Sequence, residues 1–402
     1  MTLSLHYYHT IQPAVYQKRE MKSQLSCGEV DEYDPSGLVY CWWRSAAKFD
    51  ECVKLKLDLP NVSTLTPRLR VLREMERLAL IAPDGLNELR HKFLSYRSGD
   101  FWIPIGGIQK GGMDIPPVIT ILLMGFSGSG KSSLVNLMYS VLSRSGLVLF
   151  AQTSSGNSSH TITMYMEEHN VMRSLQSGFC VYDSRGFNYN RVHEGLEELS
   201  SWMSEGVHHN QRCLRSDDCA LMKNDAEIDD LKSSPKYVLR RVDFAMVVSN
   251  IAEIYKALKA GDSKPLDATK RLFSAPGLRK CNENPILILT HGDMLSTEER
   301  LDARLKICEY LGVSEISGVY DIVCLTEYGF PAEECDPVTA YSIAEAIYRA
   351  LLISDRGHSP KKTFRDWAVL ILSCMLCFIA SFLSLLADLC SRLGQRGQKL
   401  KM

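Results

Sequence analysis

Val118-Ile119-Thr120-Ile121-Leu122-Leu123-Met124-Gly125-Phe126-Ser127-Gly128-Ser129-Gly130-Lys131-Ser132 is the stretch that decides how this chain is read. Its apolar opening predicts a buried strand, and Leu134, Val135, Met138 and Leu142 after it have helical spacing. Between them stands G-x-x-x-x-G-K-[ST] with every fixed position filled. The strand–loop–helix context makes this a phosphate-binding loop rather than a Gly/Ser-rich turn. Glycines let the backbone curl until successive N–H groups point inward at phosphate oxygens. The helix that starts there adds its positive dipole end. Lys131 can reach the β- and γ-phosphates, and the Ser132 hydroxyl can ligate Mg²⁺. The expected ligand is a nucleoside triphosphate with its magnesium ion.

Downstream residues narrow the choice of triphosphate. Phe179-Cys180-Val181-Tyr182-Asp183-Ser184-Arg185-Gly186 reads as a second buried strand ending in D-x-x-G. Asp183 can hold the magnesium through water, and the Gly186 N–H can sense the γ-phosphate. Just before it, Thr161-Ile162-Thr163-Met164-Tyr165-Met166 alternates, which predicts an antiparallel hairpin with the Phe179 strand. A third strand, Pro285-Ile286-Leu287-Ile288-Leu289, runs into Thr290-His291-Gly292-Asp293. The Asp293 carboxylate can accept hydrogen bonds from N1–H and N2–H₂ of guanine, donors that the matching edge of adenine lacks. The His291 imidazole can lie against the base. GTP rather than ATP is therefore expected, while the plainer reading of the same turn makes Asp293 a helix cap.

In their order, the phosphate loop, the Thr-bearing hairpin, D-x-x-G and T-H-x-D resemble the septin-related GTPases. That group includes immune-associated proteins and the plastid outer-envelope import receptors. The resemblance covers about residues 115–355. It implies an α/β fold, a doubly wound, mostly parallel P-loop NTPase domain. It assigns phosphate contacts to Gly128, Ser129, Gly130, Lys131, Ser132, Ser133 and Gly186, and base reading to His291 and Asp293. Magnesium falls to Ser132 and Asp183, with Thr161 as the switch threonine and Thr153 and Thr163 competing for that role. The chain departs from the family at two places. Only Cys324-Leu325-Thr326-Glu327 is positioned to replace the S-A-K element, and Phe187 follows D-x-x-G where a water-positioning Gln is usual. A phenyl ring cannot orient water by hydrogen bonding, so unaided hydrolysis should be slow. A homodimer across the nucleotide faces, or an activator protein, could supply the missing group, with Arg185 and Arg191 as candidates for the dimer.

The second decisive feature is Trp367 to Ala387, which holds no charged residue and is bracketed by Asp366 and Asp388. As a helix it would span about 30 Å, the thickness of a bilayer core. Residues 367–387 are therefore expected to be a transmembrane anchor, followed by a short basic tail over 388–402. Met1 to Glu20 lacks the apolar core of a signal peptide. The expectation is a tail-anchored protein, inserted after translation, with its bulk in the cytosol at an organelle outer membrane or the endoplasmic reticulum. Basic residues on both sides of the span leave its orientation unset, and the need for cytosolic GTP supplies it.

Composition agrees. A formal net charge of −1 and the lack of a basic stripe with interleaved aromatics argue against a nucleic-acid binder. Thirteen cysteines without regular spacing fit a reducing compartment better than a disulfide framework. Residues 1–40 read as a poorly ordered N-terminus. Residues 41–114 read as a helical segment and linker, with Leu69, Leu72, Met75, Leu78 and Leu80 at helical intervals and Asp84 placed to cap a second helix. Ile103 to Pro117, rich in Gly and Pro, reads as the linker, and the polar run Asn210 to Lys236 as an inserted loop. The functional expectation is a slow GTPase switch that controls partner binding at a membrane face. A nucleotide-holding scaffold with negligible hydrolysis and an ATP-dependent kinase or transferase are the alternatives.

Overall fold

The computed structural model describes residues 42–46, 65–104, 109–143, 164–172, 178–213, 215, 237–279, 283–323, 337–361 and 364–399. Strands β1 (Ile119–Met124), β2 (Tyr165–His169), β3 (Phe179–Asp183), β4 (Gln211–Arg212), β5 (Phe244–Asn250), β6 (Ile286–Thr290) and β7 (Val319–Asp321) form a seven-stranded sheet in the order β4-β2-β3-β1-β5-β6-β7. The run from β3 to β7 is parallel, and β2 lies antiparallel to both its neighbours. Helices are α1 (Trp42–Ala46), α2 (Pro67–Ser95), α3 (Lys131–Ser143), α4 (Val192–Glu205), α5 (Ile251–Lys259), α6 (Lys264–Phe273), α7 (Thr297–Leu311), α8 (Pro337–Arg356) and α9 (Phe364–Lys399). The central strands are buried along their whole length because helices cover both faces, which is why they read as unbroken apolar runs. Ile119, Ile121 and Leu123 of β1 join a core with α2, α3 and α8, while Leu122 and Met124 join one with α4, α5 and α6. The result is a mixed, mostly parallel α/β sheet between two helical layers.

The N-terminal layer corrects one expectation. Asp84 does not start a second helix; α2 runs unbroken from Pro67 to Ser95 with Pro83 inside it. An interior proline costs about 3 kcal/mol through its missing N–H and ring clash. Packing outweighs that here. Leu72, Met75, Leu78 and Ala82 before the proline, and Leu89 and Phe93 after it, are all buried in the same core. Gly85 brings the helix against the Tyr341 ring of α8, and Arg77 reaches Glu345 of α8 at 3.1 Å. Thr66 caps the helix by accepting from the Leu69 N–H.

Two other segments also differ from their expected roles. The supposed linker is tied down: Asp114 N–H donates to the Ser359 carbonyl and Lys361 N–H to the Gly112 carbonyl, both at 2.8 Å. Met113 and Pro360 pair as an antiparallel bridge between these bonds. The run expected as an inserted loop begins instead as β4, with Tyr165 opposite Arg212, and buries Cys213. Two-residue edge strands carry too little alternation to be seen in a sequence. Residues 1–40, Thr153, Thr161, the segment Cys324 to Glu327 and most of the inserted run lie outside the described residues. The described part of the hairpin strand starts at Tyr165 rather than Thr161.

One buried carboxylate fastens α8 to the chain that leaves α2. Asp355 accepts from the Tyr96 hydroxyl at 3.0 Å, the Gly99 N–H at 2.8 Å and the Phe101 N–H at 2.9 Å. Beyond α8 the chain enters α9, where Ala368–Ala387 has a mean hydropathy of 2.7 and is wholly exposed. That helix is long and apolar enough to cross a membrane. Asp355→Ala leaves three donors without their acceptor and should destabilise the protein by about 2–4 kcal/mol, seen as a lower urea midpoint for the detergent-solubilised chain. An unchanged midpoint would mean that α8 is held without this carboxylate.

Candidate functional site

The C-terminal ends of β1, β3, β5 and β6 open on one edge of the sheet, where an open α/β sheet places its ligand crevice. β1 leads into the loop Gly125 to Gly130, and α3 starts at Lys131. Gly128 and Gly130 have φ of +77° and +87°, conformations that side chains resist. The first N–H groups of a helix have no intrahelical acceptor, and those of α3 follow directly on this loop. The Lys131 ammonium is folded back over the loop, donating to the Gly125 and Phe126 carbonyls at 3.3 Å.

Parallel register sets Asp183 opposite Leu123, beside the start of α3. Its Oδ2 accepts from the Ser132 hydroxyl at 2.5 Å, while Oδ1 is buried without a hydrogen-bond partner. Ser129 Oγ and Ser249 Oγ, on the loop and the end of β5, are buried and unpartnered in the same way. Burial pushes the Asp183 carboxyl up to about 6, against the opposing pull of Lys131. Burial likewise pushes Lys131 down to about 8, although Asp183 favours its charged form. The orphaned Asp183 oxygen and the adjacent Ser132 hydroxyl are the donor set a magnesium ion takes when phosphate and water complete its octahedron. Among the described residues no cluster of three or more His, Cys, Asp or Glu suited to a metal exists, so Ser132 and Asp183 are the described side chains that would hold the ion.

The segment after Asp183 lies directly on the loop. Ser184 Oγ donates to the Leu123 carbonyl at 2.7 Å. Gly186 fits so closely that an added Cβ would stand 2.7 Å from Ser127 Cα and 3.1 Å from Lys131 Nζ. Phe187 then pairs with the loop: its N–H donates to the Gly125 carbonyl at 3.0 Å, and its carbonyl accepts from Ser127 at 2.8 Å. The Phe187 ring turns away into the core, stacked on Trp202 at 5.9 Å. Arg185 is not available to a dimer partner, since it is buried and donates to the Cys213 carbonyl at 2.8 Å. Arg191 sits 3.7 Å from Glu194 on the surface.

At the end of β6, the Thr290 hydroxyl donates to the Ser129 carbonyl at 2.8 Å and lies 2.8 Å from His291 Nδ1. This ties the T-H-x-D turn to the phosphate loop. His291 adopts φ +59°, an uncommon conformation for a residue with a side chain, and its Cε1 is within van der Waals reach of Gly130. Burial lowers the imidazole's pKa, so a neutral ring borders the loop. Asp293 is exposed on the short turn that follows. Beneath that turn, Arg300 forms a buried two-point pair with Asp321 at 2.7 and 2.8 Å, and the Trp42 ring of α1 covers the guanidinium at 4.1 Å.

Gly128, Ser129, Gly130, Lys131, Ser132, Ser133, Asp183, Gly186 and His291 thus converge on one rim, with Asp293 at its edge. Sequence reasoning missed Arg215. Its guanidinium donates to the Gly186 carbonyl, approaches Glu198 at 3.4 Å and covers the Phe187 ring at 5.4 Å. It lies inside the polar run read as an insertion, so no local signal marked it. No protein-family model matches this chain, and no curated protein matches it either.

Proposed function

We propose that this chain is a guanine-nucleotide-binding protein held at a membrane by α9, a slow GTPase switch with its bulk in the cytosol. The observation that carries the reading is the Ser132–Asp183 pair with its orphaned Oδ1, beside a buried Lys131, at a glycine-curved loop entering a helix. Buried groups left uncompensated in a native fold call for a partner of their own chemistry. A triphosphate supplies anionic oxygens to Lys131 and to the first-turn N–H groups of α3. Ser132 and Asp183 would hold Mg²⁺, which neutralises charge on the β- and γ-phosphates when bound. Thr290 keeps the His291 ring beside the loop, where a base can stack, and the exposed Asp293 carboxylate is free to accept the two guanine donors.

The Gly186 N–H belongs to the segment that already touches Ser127 and Lys131. Entry of a γ-phosphate has to move or tighten this contact, which is the basis of a switch. The Phe187 ring belongs to the core, so that position offers no polar side chain to align water. Slow turnover follows. The same burial favours, as a second reading, a scaffold that keeps its nucleotide; single-turnover hydrolysis of bound GTP separates the two.

Lys131→Ala removes a charge-assisted phosphate contact of about 1.5–3 kcal/mol and should weaken Mg·GTP binding at least about tenfold by calorimetry. Affinity within twofold of the parent would remove the phosphate-loop reading. Asp293→Asn should shift preference from GTP toward XTP, because an amide can donate to the 2-oxo group. An unchanged preference in a competition assay would show that Asp293 does not read the base.

The nucleotide-free, metal-free protein should also show the strain of its buried charges. A carboxyl raised from 3.8 to about 6 favours the folded state most below its ordinary value, and that contribution is lost as pH rises through about 6. An amine lowered from 10.5 to about 8 contributes above its ordinary value and loses this as pH falls through about 8. Between them both groups are charged and stability is at its lowest. The stability of the parent relative to Asp183→Asn should therefore fall by about 3 kcal/mol as pH rises through the Asp183 titration. Denaturation curves whose difference stays flat across that range would mean that Asp183 is not desolvated.

A further inference from the structure

The opposite end of the sheet carries a second cluster of charge, outside the nucleotide site. A cleft of about 710 Å³ opens where the chain enters β1 and β3, lined by Arg97, Ser98, Lys110 and Lys361 together with Met113 and the apolar residues 115–117. Its volume is that of a small-ligand pocket. All three ionisable lining side chains are basic and exposed. The nearby carboxylates are engaged: Asp100 pairs with Lys110 at 3.3 Å and accepts the Arg97 N–H, and Asp114 pairs with Arg241 at 3.2 Å. Lys361 Nζ donates to the Gly111 carbonyl at 3.1 Å and has no carboxylate partner among the described residues, and the Ser98 hydroxyl is buried without a partner. Cationic donors without carboxylates in the lining suit an anion.

Position says which anion. Lys361 is bonded through its backbone to Gly112, and α9 begins at Phe364, so no more than about 10 Å of extended chain separates cleft from helix. From Phe364 to the apolar stretch at Ala368 is about 6 Å of helix. The cleft is thereby held within about 16 Å of the hydrocarbon edge, close to a headgroup layer that itself extends several ångströms outward.

We propose that this cleft binds the phosphorylated headgroup of an anionic phospholipid in the membrane that holds α9, a proposal that rests on reading α9 as an anchor. Arg97, Lys110 and Lys361 take the phosphate oxygens, with the Ser98 hydroxyl available to donate. A headgroup captured there fixes how the domain stands on the bilayer, which a single helix with free rotation does not.

The test is native mass spectrometry of the detergent-solubilised full chain titrated with short-chain phosphatidylinositol phosphate. Short-chain phosphatidylcholine serves as the neutral comparison and free inositol bisphosphate as the headgroup alone. The expected result is selective binding of the anionic lipid, weakened about fivefold for each cation neutralised and roughly a hundredfold by Arg97→Gln, Lys110→Gln and Lys361→Gln together. Each single variant is measured too, so that loss of folding in the triple variant cannot stand in for loss of binding. Equal binding of phosphatidylcholine, or full affinity in the variants, overturns the proposal. Free inositol bisphosphate binding as tightly as the lipid would make this a soluble-phosphate site and overturns the lipid assignment. Carbonate extraction from liposomes separates the two layers. A chain that washes off removes the anchor and the lipid site together, whereas one that stays but binds without selectivity removes only the lipid site.

Discussion

Parallel pairing that sets Leu123 of β1 opposite Asp183 of β3 is the constraint on which the candidate site depends. Side chains alternate along a strand, so a slip of one residue would send the Asp183 carboxylate to the other face of the sheet and away from Ser132. The register is pinned at both ends. Ser184 donates to the Leu123 carbonyl at one end, and at the other the Ile119 N–H donates to the Gly178 carbonyl at 2.8 Å; Asp243 in turn ties β1 to β5, accepting the Thr120 N–H at 3.0 Å while its own N–H returns to the Thr120 carbonyl. With β1 held between β3 and β5, the loop that follows has a fixed origin, and its distance to Asp183 is no longer adjustable. The burial of Thr120 and Asp243 deep in the sheet makes this pinning insensitive to solvent.

Buried charge is handled in two ways in this protein. Arg300 and Asp321 satisfy one another at two points, and Arg304 spends its donors on the Glu315 and Val319 carbonyls. Asp355 has three donors. These groups are complete. Asp183 and Lys131 are buried as deeply, yet Asp183 keeps an oxygen without a donor and Lys131 reaches only carbonyls that are already part of the loop. Of these groups, the two left open stand side by side at one edge of the sheet.

Much of this was legible in the sequence because it is local. The glycine-curved loop, the D-x-x-G strand and T-H-x-D each occupy a short stretch with the strand that positions it. What escaped depends on contacts between distant residues. Pro83 reads as a helix break when only neighbours are considered; the core under α2 overrides it. Phe187 is legible as a position without a polar side chain, but the stacking of its ring on Trp202 in the core is a contact that no local pattern carries. Arg215 and the edge strand β4 emerge from a polar run with no periodicity, and the pairing of residues 112–114 with 359–361 joins segments with no pattern in common.

That last pairing has a mechanical consequence. Tension applied to the domain through α9 enters at Lys361 and is divided between the Gly112 and Ser359 hydrogen bonds and, through α8, the triple grip on Asp355. Both points of load lie where the chain enters β1, about 20 Å along the strand from the phosphate loop. The two strands of the clasp run antiparallel, so the load divides over several bonds within a few residues. A pull transmitted through α9 is then carried by the entry end of the sheet, and the geometry around Asp183 and Lys131 stays unloaded.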